Sequence, residues 1–390
     1  MGLTDLWEDS KEQLKDKHVQ QIIAFAGEGE LRDGNTASAE FQEFLSNIPS
    51  DLLHQYADQC LQNSFNGSGF ALQDIVNQVG RRLGFEVTDG RYRGASGHIG
   101  FDGIWKLPEG HVIVLEVKTT DAYRIDLNKL AGYRNELEKE GALSEEASSV
   151  LIVVGRKDTG DLEAQIRGSR HAWDMRLISV DALMRLMLLK QEVEDPKIVQ
   201  RIYDILIPRE FTKLDEIVEI LFFTAEEIKE EEPAEKAAVG DQQGPKFVPV
   251  SFHQACVDRI ENRLHRSLIR RTRASYSSSD GSTTLICAVS KEHVKGEHRW
   301  FWFAFHPHQK DFLEKGKDSF IAFGCGSEES VLLIPWGDFV QWVDGMNITE
   351  REDRFYWHVH ISLHEKHFVL HLKKGFDPID LTGFLLAGEG

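Results

Sequence analysis

The sequence predicts an α/β fold, a mixed sheet flanked by helices, with a helical segment before it and a second, mostly β domain of α+β class after it. Three observations carry this. Residues 70–84 (FALQDIVNQVGRRLG) place Leu72, Ile75, Val76, Val79 and Leu83 on one side of a helix. Strand-like and helical runs then alternate. Two of the strands, in HVIVLEVKTT and SVLIVVG, are almost continuously apolar, as strands covered on both faces are. Beyond an acidic stretch at 225–250 the chain becomes a succession of short strands. The expected organisation is a helical segment at 1–68, an α/β domain at 69–224, a linker at 225–250 and a β-rich recognition or regulatory domain at 251–390.

In chain order, residues 1–68 read as mostly helical, with helical spacing over Ala39–Leu45 and Asp51–Leu61 and Pro49-Ser50 opening the second of these. Gly84 ends the 70–84 helix. FEVTDGRYRG, GFDGIWKL and HVIVLEVKTT follow as strands, then a helix at about 126–140, SVLIVVG, a helix at 161–172, the strand RLISV and the helix DALMRLMLLK. One mixed sheet with helices against it is the economical assembly. The stretch 225–250 is acidic, poor in large apolar residues and ends among prolines, which is linker composition. After it a helix is expected over 252–273. The strands TTLICAVS, RWFWFAF, SFIAFG, SVLLIPW, YWHVHISL and HFVLHL follow, with helix near 308–315 and 337–344, forming a mostly antiparallel sheet or small barrel.

At 390 residues, 41% hydrophobic, the chain can bury the cores of two or three domains. No apolar run approaches the roughly 20 residues of a membrane-spanning helix, and the charged N-terminus lacks a signal-peptide core. A cytoplasmic protein with no membrane partner is expected. The 4 cysteines are far apart with no CxxC pair, so reduced thiols are expected, not a disulfide framework or zinc ribbon. The net charge of −19 argues against a protein that coats DNA indiscriminately, while leaving room for a local basic channel. Residues 251–390 hold 17 Lys+Arg against 19 Asp+Glu, so most of the negative charge lies before them.

Alternation in HVIVLEVKTT places Val112, Val114, Glu116 and Lys118 on one face. A carboxylate and an ammonium on a central strand are costly to bury unless paired or bound. A hairpin through Leu107–Gly110 would bring Asp102 towards Glu116. Two adjacent acids repel, so each gains from sharing a cation, and carboxylate ligands suit Mg²⁺ (or Mn²⁺). Such an ion supplies a nucleophilic water and neutralises phosphate charge, and Lys118 could stabilise that charge or help orient and deprotonate the water. The bland alternative is a solvated Glu–Lys pair on an edge strand.

The order helix, strand, strand with Asp102, strand with Glu116-Val117-Lys118, helix, apolar strand resembles the PD-(D/E)xK nuclease superfamily, most closely its Mrr-like restriction-endonuclease branch. Leu83–Val87 entering the sheet and Leu177–Leu183 closing it also match, so the resemblance covers about residues 70–190. It implies a restriction-endonuclease-like fold and metal-dependent DNA cleavage, with Asp102 and Glu116 as metal ligands and Lys118 as catalytic lysine. Phe101, not proline, precedes the first acid, and Gln73, with Asp74 beside it, stands where a supporting glutamate often occurs. The resemblance further implies that Arg156 and the helix bearing Gln165, Arg167, Arg170 and His171 pack beside the site and contact phosphates; an ordinary polar face over Trp173 is the alternative. Arg91, Arg93 and His98 read as a solvated turn ahead of a groove lining. The resembling enzymes often work as dimers, which makes a homodimer through residues 1–68 a candidate arrangement.

In the second domain Arg259, Arg263, Arg266, Arg270 and Arg273 recur every three or four residues opposite an apolar stripe, as a phosphate-tracking face or a solvated one would. Crowded aromatics, Trp300 and Trp302 among them, read first as core and second as a base-stacking surface. YWHVHISLHEKHFVLHL predicts a hairpin pairing His364 with His367 and His360 with His371, with a histidine-rich outer face; a zinc site would need three or four of these to converge, and a polar surface is the simpler reading. The function expected is a metal-dependent DNA endonuclease of restriction or anti-phage defence. An RNA or DNA-repair nuclease and a non-catalytic nucleic-acid-binding protein on the same scaffold are the alternatives.

Overall fold

Strand β3 (Val112–Lys118) lies at the centre of the first of two units in the computed structural model, which describes residues 2–207 and 249–386 apart from 64, 94–99, 108, 120–123, 140, 142–146, 156–159, 194–195, 297 and 351–354. The units are Met1–Glu235 and Lys236–Gly390. The linker expected at 225–250 falls almost wholly outside the described residues, as do Arg156 and His98. Among the described residues no helix is long and apolar enough to cross a membrane.

In unit 1, β1 (Glu86–Asp89), β2 (Gly103–Lys106), β3, β4 (Ser148–Val154) and β5 (Met175–Ser179) form one sheet in that order. β1, β2 and β3 pair antiparallel; β3, β4 and β5 pair parallel. This is the mixed, helix-flanked sheet the sequence predicts, with β3 interior and not an edge. One face carries Ile113 and Leu115 into the larger core, with α5 (Ser68–Leu83), α8 (Val180–Glu192) and α9 (Pro196–Leu206). α1 (Leu3–Lys15), α2 (Val19–Phe25), α3 (Thr36–Asn47) and α4 (Ser50–Gln62) share that core through Trp7, Phe41, Phe44 and Tyr56. The other face carries Val114, Val150 and Ile152 against α6 (Leu127–Lys139) and α7 (Gly160–Arg167). α7 stops short of the expected 172, and Trp173, expected beneath the helix, is 66% exposed.

Local chemistry explains the boundaries. Gly84 takes φ 100 and closes α5 with bonds to the Gly80 and Arg81 carbonyls, a left-handed cap that costs glycine little. Ser179 caps α8 by accepting from Ala182 N–H at 3.1 Å.

Unit 2 contains two sheets instead of the single sheet or barrel expected. One runs β12 (Val331–Pro335), β11 (Asp318–Cys325), β8 (Thr283–Ser290), β7 (Ser275–Ser277), β6 (Ile269–Arg270), with β8 and β11 parallel. The other runs β16 (Ile379–Asp380), β15 (His367–His371), β14 (Phe355–His364), β10 (His298–Phe305), β9 (His293–Lys295), with β13 (Asn347–Glu350) also on β14. Phe301, Phe303, Val359 and Ile361 meet Ile321, Phe323 and α12 (Trp336–Val343) between the sheets. α10 (Pro249–Leu264) covers the far side of the first sheet through Cys256, Val257 and Ile260. α11 (Pro307–Leu313) links β10 to β11. The predicted hairpin register is found: His360 faces His371 and His364 faces His367.

Candidate active site

Asp102 sits just before β2, where a short hairpin lays it against the end of β3. Its N–H donates to Leu115 O at 3.0 Å, and its Oδ2 accepts from Val117 N–H at 2.7 Å. Its carbonyl takes three donors: Asn77 Nδ2 at 2.9 Å, Gln73 Nε2 at 3.1 Å and Gly90 N at 3.1 Å. Asn77 is held in turn by Trp105 Nε1, which donates to its Oδ1 at 3.0 Å. The packing is tight enough that glycine is needed at 103, because a Cβ there would lie 2.2 Å from Asn77 Oδ1.

Glu116 and Lys118 follow on one face of β3, as alternation requires, and are ion-paired to each other. Glu116 is 8% exposed. Burial, and then the neighbouring Glu116 carboxylate, push the Asp102 pKa up; the Val117 N–H and the ammonium groups of Lys118 and Lys129 oppose this. The site thus disfavours the charged form of Asp102 beside Glu116. That is a setting in which a divalent cation relieves both desolvation and repulsion. Among the described residues no group of three or more His, Cys, Asp and Glu converges. Two carboxylates with water and phosphate oxygens are nonetheless a common ligand set for Mg²⁺, so the donors fit the ion that the sequence predicts.

Sequence reasoning missed Asn77, which anchors Asp102, and a pair on α6. Lys129 stands 5.5 Å from the Tyr133 ring centroid, and its pKa is raised by Tyr133 first and by Glu116 among the other causes. Their i, i+4 spacing on the helix after the Glu-x-Lys strand was visible, but only the fold returns that helix over β3.

Other predicted residues lie elsewhere. Gln73 reaches the site through its bond to the Asp102 carbonyl. Asp74, predicted beside it, turns away: its carboxylate accepts from Tyr92 Oη at 2.5 Å and Gln42 Nε2 at 3.0 Å. The reason is helical phase, since neighbouring positions are about 100° apart. Gln165 is committed to the backbone of Ile125, accepting from its N–H at 3.2 Å and donating to its carbonyl at 2.5 Å, so its amide braces the loop before α6. Arg167 is an exposed partner of Glu163. Arg170 and His171 both bond Asn128 Oδ1, at 3.2 and 3.1 Å, on the wall of a depression of about 720 Å³ that Gln165 also lines.

The arginine stripe of unit 2 is not a stripe. Its helix ends at Leu264, where His265 takes φ 50 and the Glu261 carboxylate accepts from Leu268 N–H. Arg259 bonds the carbonyls of Glu328 and Leu386. Arg263 is exposed on α10. Arg266 bonds Thr283 Oγ1 at 2.6 Å, Arg270 lies in β6 and bonds the Thr272 carbonyl at 3.3 Å, and Arg273 follows β6.

No protein-family model and no curated protein matches the chain. Among solved structures, one described as a restriction endonuclease PspGI–substrate DNA complex is similar at 14% identity and a TM-score of 0.23, over 56% of this chain and 91% of that one.

Proposed function

We propose that unit 1 is a metal-dependent endonuclease that hydrolyses phosphodiester bonds of DNA in restriction or anti-phage defence, and that unit 2 recognises sequence, modification or a signal. The observation that carries the reading is the half-buried Asp102 and the buried Glu116 set beside Lys118 at the end of a central strand. Asp102 and Glu116 would hold Mg²⁺ (or Mn²⁺), which when bound supplies an activated water and neutralises phosphate charge. The Val117 N–H orients the Asp102 carboxylate, and the bonds to its carbonyl hold the backbone behind it, so the acid is positioned before substrate arrives. Lys118 is partly exposed, and its ammonium would stabilise the charge that a phosphate oxygen gains in the transition state. Lys129 adds a second cation on the same side.

The test is incubation of plain and modified plasmid with wild type, Asp102→Ala and Lys118→Ala, with Mg²⁺ and with chelator. Cleavage that needs Mg²⁺ and falls by about 10²–10³ in Lys118→Ala supports the reading; undiminished cleavage in that variant sinks the role of Lys118. Parallel incubations with single-stranded DNA and structured RNA decide the substrate class, and sedimentation decides whether the active form is a homodimer.

A further inference from the structure

The β16-β15-β14-β10-β9 sheet of unit 2 packs one face on the core; the other carries rings. Trp300 and Trp302 stand on that face of β10, two residues and so about 7 Å apart along the strand. Trp302 is 37% exposed although it lies in mid-sheet. Its indole N–H donates to His358 Nδ1 at 3.0 Å, and His358 Nε2 meets Thr349 Oγ1 at 2.7 Å. That chain of contacts locks the indole in one orientation. Tyr356 packs edge-on to Trp302 at 6.2 Å. Trp300 lies nearly parallel to His293, 5.6 Å and 17° apart.

Charge on this face departs from the rest of the molecule. Imidazoles recur on four strands, at His293, His298, His358, His360, His364 and His371, while Asp380 on β16 is the one carboxylate among the described residues that alternation puts with them on β9, β10, β14, β15 and β16. In a chain of net charge −19 this leaves a surface with a single carboxylate among its described strand residues, and so with little to repel a polyanion. Rings with locked orientation, hydroxyl and imidazole donors between them and little negative charge are what an unpaired nucleic-acid strand needs: π-faces to stack on and donors for its phosphates.

We propose that this face of unit 2 binds unpaired nucleobases of a nucleic-acid strand, with Trp302 and Trp300 as the stacking ledges. The site is separate from Asp102, Glu116 and Lys118, so it stands or falls without the cleavage reading.

The experiment measures binding of labelled oligodeoxythymidine and oligouridine, each of about 20 nucleotides, longer than the roughly 4–16 one small fold covers. The full chain is used, with chelator present to prevent cleavage. Wild type is expected to bind at least one strand with quenching of tryptophan fluorescence. Trp302→Ala is expected to weaken it about ten-fold or more, with Trp302→Phe retaining most of the affinity. A base-free deoxyribose-phosphate strand is the control for charge alone. Absence of binding to both strands, equal affinity of wild type and Trp302→Ala, or equal affinity for the base-free strand overturns the assignment. Unfolding temperatures of the variants show that any loss is not misfolding; because Trp302 is partly exposed, its truncation leaves no buried cavity.

Discussion

Burial pushes the pKa of both Asp102 and Asp74 up, for different ends. Asp102 shares its environment with Glu116 at the candidate site. Asp74 is 2% exposed and is pushed up to about 7 by burial, against the lowering effect of its bonds from Tyr92 and Gln42. An acid whose folded value exceeds the roughly 3.9 of an unfolded chain binds its proton more tightly when folded. Its stabilisation is complete below about pH 4 and is lost as the pH rises through about 7. Asp74→Asn keeps an acceptor for Gln42 and removes the titration. Its stability relative to wild type is expected to grow between about pH 5 and pH 8 by on the order of a few kcal/mol; a difference that stays flat across that range in thermal melts counts against it. Asp102→Asn is expected to abolish cleavage while raising the unfolding temperature in chelator by a few degrees, about 1 kcal/mol, because one of two repelling acids is gone. A lowered unfolding temperature would show that the carboxylate pair is no burden.

At the scale of elements, α5 and the β2–β3 hairpin are one device. Asn77 on α5 holds the Asp102 carbonyl and accepts from the buried Trp105 indole. Asn77→Ala leaves that indole N–H without its acceptor and is expected to cost about 1–3 kcal/mol, and to lower cleavage more than Gln73→Ala, which removes one of three donors. Equal activity in the two variants would remove Asn77 from its positioning role. Gly103→Ala pushes a methyl into the Asn77 amide and is expected to destabilise by about 1–3 kcal/mol, measured by denaturant unfolding. A second device ties α3, α4, α5 and α8 together. The buried Arg82 guanidinium donates to the Leu45 and Ile48 carbonyls and to Ser50 Oγ, and Lys190 Nζ donates to the Arg82 carbonyl at 2.9 Å. The cation thus meets the unsatisfied carbonyls at the end of α3, where the helix dipole favours it.

Across the whole molecule, the N-terminal helices are part of the α/β unit's core. Trp7 is 1% exposed and stands edge-on to Phe44 at 5.6 Å, within the cluster that also holds Leu72 and Ile113. Removal of residues 1–62 is therefore expected to leave a chain that does not fold cooperatively, seen as a lost thermal transition. Trp7→Ala is expected to cost about 3–5 kcal/mol while leaving the specific activity of the folded fraction near wild type. A truncated chain that melts cooperatively would show that the β-sheet unit stands without them.

The sequence by itself determined what depends on local periodicity. Alternation on β3 set Glu116 and Lys118 on one face, helical spacing set α5 and α8, and the two-residue turn Glu365-Lys366 set the register of His360 with His371. Tertiary structure decided whatever depends on segments meeting across the fold. It ended α10 at Leu264 and so dispersed the arginine stripe, turned Asp74 from the site, and brought Asn77 and Lys129 towards Asp102. It also laid β10 beside β14, so that Trp302 and His358 could lock together. A side chain's face within one element follows from backbone geometry. Its neighbours on another element follow from which apolar faces are buried together, and that is settled only when the cores assemble.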